Sequence, residues 1–255
     1  MRHVPTLVRR ELAAYFLGPT AWLVLLGFQV VAAVDFWQLV EILARPQSEY
    51  SGVRDPMNTY IGGSPLFWIA LMVAVPALTM RLLAEERRSG TIEPLLTAPV
   101  TEGEVVVAKW LGGWVMYEAL LLPFLVYLPI LRRYGEYPFD LGPLLSLLIG
   151  LSTAGMMFVA LGLLFSALTR QQLVAAVGTF AAMFVLVGLS WAAYVYGAER
   201  GAAWAEGVKF VAVLPQILAM GAGQLDPRWP LLHLSATAVL LFAATKVLQL
   251  GRGDA

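Results

Sequence analysis

The sequence predicts an all-α integral membrane protein with six transmembrane helices, and three observations carry that prediction. Hydrophobic residues make up 59% of the 255 residues and charged residues only 13%, about half the charged share of a soluble domain. Mean hydropathy is +0.74. Apolar runs of ~20 residues recur, the length that a rise of about 1.5 Å per residue needs to cross a ~30 Å hydrocarbon core. The same composition excludes other classes. Lys plus Arg balance Asp plus Glu at 17 each, so no basic field points to nucleic acid. The absence of cysteine removes disulfide scaffolds and thiolate chemistry. His3 and His233 are far apart, so no metal site is expected.

Residues 4–16, VPTLVRRELAAYF, place Val4, Leu7, Val8, Leu12, Tyr15 and Phe16 at three- and four-residue spacing, with Arg9 and Arg10 elsewhere on the wheel. That pattern predicts an interfacial helix with its apolar face in lipid and its arginines near headgroups. The plainer alternative is a basic tail that only sets topology. Gly18-Pro19 ends the segment. The first span covers residues 21–40, with Asp35 and Gln38 at the far interface. A basic start, an apolar stretch and Ala32-Ala33 share features with a secretory signal, but the part before the apolar run is long for one. Residues 46–63, punctuated by Pro and Gly, form a loop too short for a folded outer domain.

The second span covers residues 65–83 and contains Pro76, and the third covers 105–131, with Lys109 near its start and Glu118 inside. Between them, residues 81–104 are the densest charged stretch, and 85–99 are its centre. Glu85, Glu86, Arg87 and Arg88 extend the second span, and Gly90 stops it. Thr91 is placed to cap a short helix with Glu93 and Pro94 in its first turn. A plain connector needs only a few residues, so the segment reads as a short helix presenting side chains to the cytosol; an ordinary charged loop is the alternative. The fourth span, 141–168, is long enough to require tilt. The fifth covers 173–196 and the sixth 231–250. Residues 208–222, apolar and broken by Pro215, are short for a crossing and predict a re-entrant outer segment. If they spanned, the count would be seven and the C-terminus would lie outside.

The side carrying Arg9, Arg10, Arg87, Arg88, Arg170 and Arg252 holds the larger share of Lys and Arg, although Arg132-Arg133 lies opposite. This predicts cytoplasmic N- and C-termini. Glu118 stands near mid-depth, where a carboxylate is expensive and faces a bundle interior or a wet cavity; it is either a cavity residue or a buried structural carboxyl. Gly150 with Ala154, and Gly178 with Ala182, are small residues four apart and predict helix packing faces. No G-x-x-x-x-G-K-[ST], H-E-x-x-H or G-x-S-x-G occurs, so no catalysis is expected within the chain.

Residues 76–109 resemble the region between the second and third spans of ABC-2 type transporter permeases. The run E-R-R-x-G-T-x-E-x-L-L-T-x-P-V, Glu86 to Val100, is similar to the gliding-motility-associated branch of these type V ABC exporters. The start RRELAAYFLGPTAWLV resembles the same branch, where K-E-L-x-x-Y-F-x-S-P precedes the first span, and LFSALTRQQLVAAV is a weaker echo. The chain departs at Gly18-Pro19, where serine more often precedes proline, and at Pro94, where an aliphatic residue is commoner.

The resemblance implies a permease subunit in the bacterial cytoplasmic membrane. Two permease chains, identical or paralogous, would pair, each docking on a cytosolic ATPase that holds the ATP and Mg; no cofactor belongs to this chain. Residues 4–16 become the connecting helix, 85–99 contain the coupling helix, and 208–222 become the outer re-entrant helix. Glu85, Glu86, Arg87, Arg88, Gly90, Thr91 and Glu93 become the ATPase contact. Membrane lipid and an accessory envelope protein are further implied partners. Export of a hydrophobic or lipidic substrate is the implied activity, with a non-transporting mechanical or regulatory complex as the alternative.

Overall fold

The computed structural model describes residues 3–43, 61, 64–91, 100–127, 129, 141–200, 208 and 211–253, and the regular structure among them is helical. In chain order the helices are α1 (Val4–Leu17), α2 (Pro19–Leu43), α3 (Pro65–Thr79), α4 (Ala84–Ser89), α5 (Glu102–Leu121), α6 (Leu141–Leu168), α7 (Gln172–Arg200), α8 (Val213–Gly221) and α9 (Arg228–Gly253). Six stretches of the described residues are long and apolar enough to cross a membrane: Pro19–Glu41, Pro65–Ser89, Glu102–Tyr127, Leu141–Leu168, Gln172–Ser190 and Arg228–Leu250. They overlap the six predicted runs.

The centre of the bundle is α6, against which α3, α5, α7, α8 and α9 all pack. It is 67% buried along its span, whereas α2 and α7 are 28% buried and α9 is 22% buried. The outer helices therefore leave apolar faces uncovered, as lipid-facing helices do.

The second span, placed at 65–83 with Pro76 inside it, is interrupted near its end. It stops at Thr79, turns through residues 80–83 and restarts as α4. Pro76 removes one donor from the ladder, and the Thr79 hydroxyl donates to the Val75 carbonyl at 2.9 Å. The interruption is held from outside. Ser166 on α6 is fully buried; its Oγ accepts from the Leu83 and Ala84 amides, both at 2.9 Å, and donates to the Met80 carbonyl at 3.0 Å. One hydroxyl thus stands in for the ladder bonds the turn lacks. Ser166→Ala strands these groups, and thermal unfolding in detergent is expected to show a loss of about 1–3 kcal/mol.

The third span begins earlier than residue 105. Thr101 Oγ1 accepts from the Glu104 amide at 3.3 Å, and the Glu104 carboxylate accepts from the Thr101 amide at 3.2 Å, a capping box that starts α5 at Glu102. The T-x-x-E signature is present in the sequence, ahead of the apolar run.

At nine residues, α8 is about 14 Å long, half of what a crossing needs, and it is not one of the six candidate spans among the described residues. It lies on the first half of α6, where the Ser146 hydroxyl bonds the carbonyls of Met220 and Pro143. At the opposite end, α1, α4, the start of α5, the ends of α6 and α9, and the start of α7 gather together. The N-terminal helix and the last turns of α9 therefore lie at one end of the bundle.

Candidate functional site

That end carries a buried charge cluster built from three helices. The Lys109 ammonium on α5, 3% exposed, sits 3.2 Å from Glu11 Oε2 on α1 and 2.9 Å from Glu86 Oε1 on α4. The Arg10 guanidinium reaches the same two carboxylates, at 3.0 Å to Glu11 and 3.6 Å to Glu86. Two cations thus balance two anions, and the pairing offsets the cost of removing Lys109 from water. Glu86 also holds a buried Oε2 with no hydrogen-bond partner.

Glu11 reaches Lys109 because α1 lies directly on α5. A Cβ at Gly112 would stand 3.0 Å from the Glu11 Cβ, so the small residue sets the approach. Tyr15, one turn beyond Glu11, donates its hydroxyl to the Leu78 carbonyl at 2.7 Å. Burial pushes the Tyr15 phenol well up from its usual value, which keeps it a donor. The apolar stripe of α1 is therefore turned toward α5 rather than wholly into lipid: Val4, Leu7, Val8, Leu12 and Tyr15 are half-buried, while Phe16 and Leu17 stay exposed. The physical reason is Glu11, which lies on that same stripe and finds its countercharge on α5.

A cavity of about 440 Å³ borders the cluster, lined by Arg10, Glu11, Tyr15, Arg81, Glu86 and Lys109 among others. At its rim Arg81 pairs with Glu85 at 2.9 Å and donates to the Thr20 hydroxyl. Motion of α4 is thus tied by charge to α1 and α5, and through Ser166 to α6.

Comparison with protein families matches residues 15–243 to the family described as ABC-2 family transporter protein. The chain belongs to the ABC-2 transporter family. No curated protein matches it. The family match includes Glu86 and Lys109 and begins after Glu11. ABC-2 membrane subunits are typically non-catalytic, with ATP hydrolysis in a partner subunit. Among the described residues no group of His, Asp and Glu gathers to hold a metal.

In this ABC-2 chain the residues predicted as an ATPase contact separate by direction. Glu85 pairs with Arg81 and Glu86 turns inward to Lys109. Arg87 donates to the Val247 carbonyl of α9 at 3.3 Å, and Arg88 is exposed. Gly90 adopts φ +72°, a left-handed conformation that ends α4 and that a side chain would strain. The Thr91 hydroxyl lies 2.9 Å from that of Ser89. Glu93 and Pro94 lie outside the described residues, as does most of the predicted coupling helix.

Glu118 stands apart from the cluster, nine residues after Lys109 on the same helix, or about 13 Å. Ser152 and Trp114 lie against its carboxyl, and its Oε1 is buried without a partner. Gly150 faces Ile217 and Met220 of α8, Gly178 faces Phe165 of α6, Ala154 is buried, and Ala182 is half-buried. Closer approaches occur at Gly155 against Tyr117 and Gly162 against Thr79, neither singled out by small-residue spacing. Glu11 and Lys109 were missed as site residues; their signal was a carboxylate within an apolar stripe and a lysine within a span.

Proposed function

We propose that the chain is the permease subunit of an ABC exporter of the gliding-motility-associated branch, working as a pair of permease chains with a cytosolic ATPase on each. The charged end of the bundle faces the cytoplasm, with α1 as connecting helix, residues 85–99 as coupling region and α8 as the outer re-entrant segment. ATP-driven closure of the partner subunits pushes the loop after α4. The Glu11–Lys109–Glu86 cluster passes that displacement to α1 and α5, and the Ser166 clamp passes it to α6. The paired bundles rock and reshape a central cavity for a hydrophobic or lipidic cargo, toward which Glu118 is directed. The observation supporting this reading is the cluster itself, which joins the E-R-R-x-G-T motif to two other helices by buried ion pairs.

The test is charge reversal at Arg87 and Arg88 in the complex with its ATPase. R87E/R88E is expected to insert normally and to lose stimulated ATPase activity by about tenfold, the effect of ~1.4 kcal/mol. Full stimulation in that variant would remove these residues from the contact. Reconstituted ATPase and transport assays with candidate lipids and peptides separate export from mechanical work without transport.

A further inference from the structure

The short helix α4 sorts its charges into two directions. Toward α1, Glu85 holds Arg81, and Glu86 holds Lys109 and Arg10, so each cation there has a carboxylate. Toward α7, Arg87, Arg88 and Arg170 line one cavity of about 740 Å³ together with Gln171, Gln172 and Leu173, and no Asp or Glu among the described residues lines it. Arg87 and Arg170 are close enough to repel. None of the three arginines forms an ion pair among the described residues. Three guanidinium groups around one cavity, with no carboxylate beside them among the described residues, favour a bound anion, and their planar donors match phosphate oxygens. The surroundings indicate which anion. The cavity wall includes Leu173, 74% exposed, and Val177, one turn further along α7, is 59% exposed. A ligand seated here meets cations at one end and uncovered apolar surface at the other, and basic pockets between spans hold anionic headgroups in this way.

We propose that Arg87, Arg88 and Arg170 bind the phosphate of an anionic phospholipid, with its acyl chains along Leu173 and Val177 of α7. This lipid is a ligand of the single chain and needs neither export nor a bound ATPase to be held. Arg87 and Arg88 are also the proposed ATPase contact, so Arg170 carries the test.

The full-length protein in neutral detergent is titrated with phosphatidylglycerol, phosphatidylcholine or inorganic phosphate, and bound lipid is read by native mass spectrometry and by melting temperature. Phosphatidylglycerol is expected to bind and stabilise, whereas phosphatidylcholine and inorganic phosphate do not. Arg170→Gln is expected to weaken phosphatidylglycerol binding about fivefold. Arg170→Lys keeps most of the affinity, and Arg9→Gln, an exposed arginine on α1, keeps all of it. If Arg170→Gln fails to fold, Gln171→Glu, which adds a carboxylate to the cavity wall, reads the same loss. Wild-type affinity in the variant that folds, or equal binding of phosphatidylcholine, would overturn the site. Saturation by inorganic phosphate alone would make it a free-anion site and would also overturn the lipid assignment.

Discussion

Replacing Lys109 with methionine is expected to cost about 3–5 kcal/mol, because it leaves buried carboxylates without their countercharge. Lys109 is 3% exposed and touches both Glu11 and Glu86. Without it, Arg10, half exposed at 51%, is the cation still paired with the two acids among the described residues. The melting temperature in detergent is expected to fall on the order of 10 °C. The combination Lys109→Met, Glu11→Gln and Glu86→Gln removes charge from both sides and is expected to recover most of that loss, since neutral groups of similar volume replace a buried ionic set at little net cost. Stability and coupling then separate. The triple variant is expected to fold yet respond weakly to its ATPase, because hydrogen-bonded amides hold α1, α4 and α5 together less stiffly than ion pairs. Wild-type stimulation in the triple variant would reduce the cluster to a structural role. An unchanged melting temperature in Lys109→Met would contradict the burial of the pair.

The second large effect is expected at Gly155. A Cβ there would lie 2.0 Å from Tyr117 Cε1 and within 2.5 Å of two further ring atoms. The ring cannot step aside cheaply. Tyr117 is fully buried, and its hydroxyl donates to the Leu151 carbonyl at 3.0 Å, one turn before Gly155, so the ring lies across the glycine. Gly155→Ala forces the ring off its site and is expected to cost about 3 kcal/mol, combining overpacking with a stranded hydroxyl. Tyr117→Ala alone is expected to cost about 3–5 kcal/mol by opening a cavity. Placing leucine at 155 in the Tyr117→Ala background refills that space, so the double variant should be more stable than the sum of the single losses predicts. Strict additivity in thermal unfolding would show that the two positions do not share one space.

Hydropathy made the six spans legible, because a crossing needs a long apolar run and little else in the chain resembles one. The ends of the spans were less legible. The interruption after Thr79 depends on Ser166, 83 residues from Leu83 in sequence, and no local pattern in the second span contains it. The start of α5 was readable in Thr101 and Glu104, but hydropathy drew the boundary at the first apolar residue instead. The charge-dense loop was visible as a charged loop, whereas the inward turn of Glu86 was not, since its partners Lys109 and Glu11 come from other helices. Glu11 and Lys109 are 98 residues apart and meet only once α1 lies on α5. Glu11 nevertheless belongs to the stripe of Val4, Leu7, Val8 and Tyr15, and a carboxylate among such residues requires a partner. The small-residue pairs marked helices that pack closely, but spacing along one helix does not say which neighbour arrives. Gly150 and Gly178 meet different elements for that reason.

The turn at residues 80–83 makes the second span two rods whose joint is pinned by a neighbouring shaft. A continuous helix pushed at its tip would bend or tilt as a whole and deliver the load to its own far end. Here the tip is fastened to α6 by Ser166, to α5 by Lys109, and to α1 through the Glu86–Arg10 contact. A torque applied at α4 is therefore divided among three shafts before it reaches α3, the one to which it is joined in sequence. Four helices thus share one joint at this end, and it is tied by a hydroxyl, an ammonium and a guanidinium.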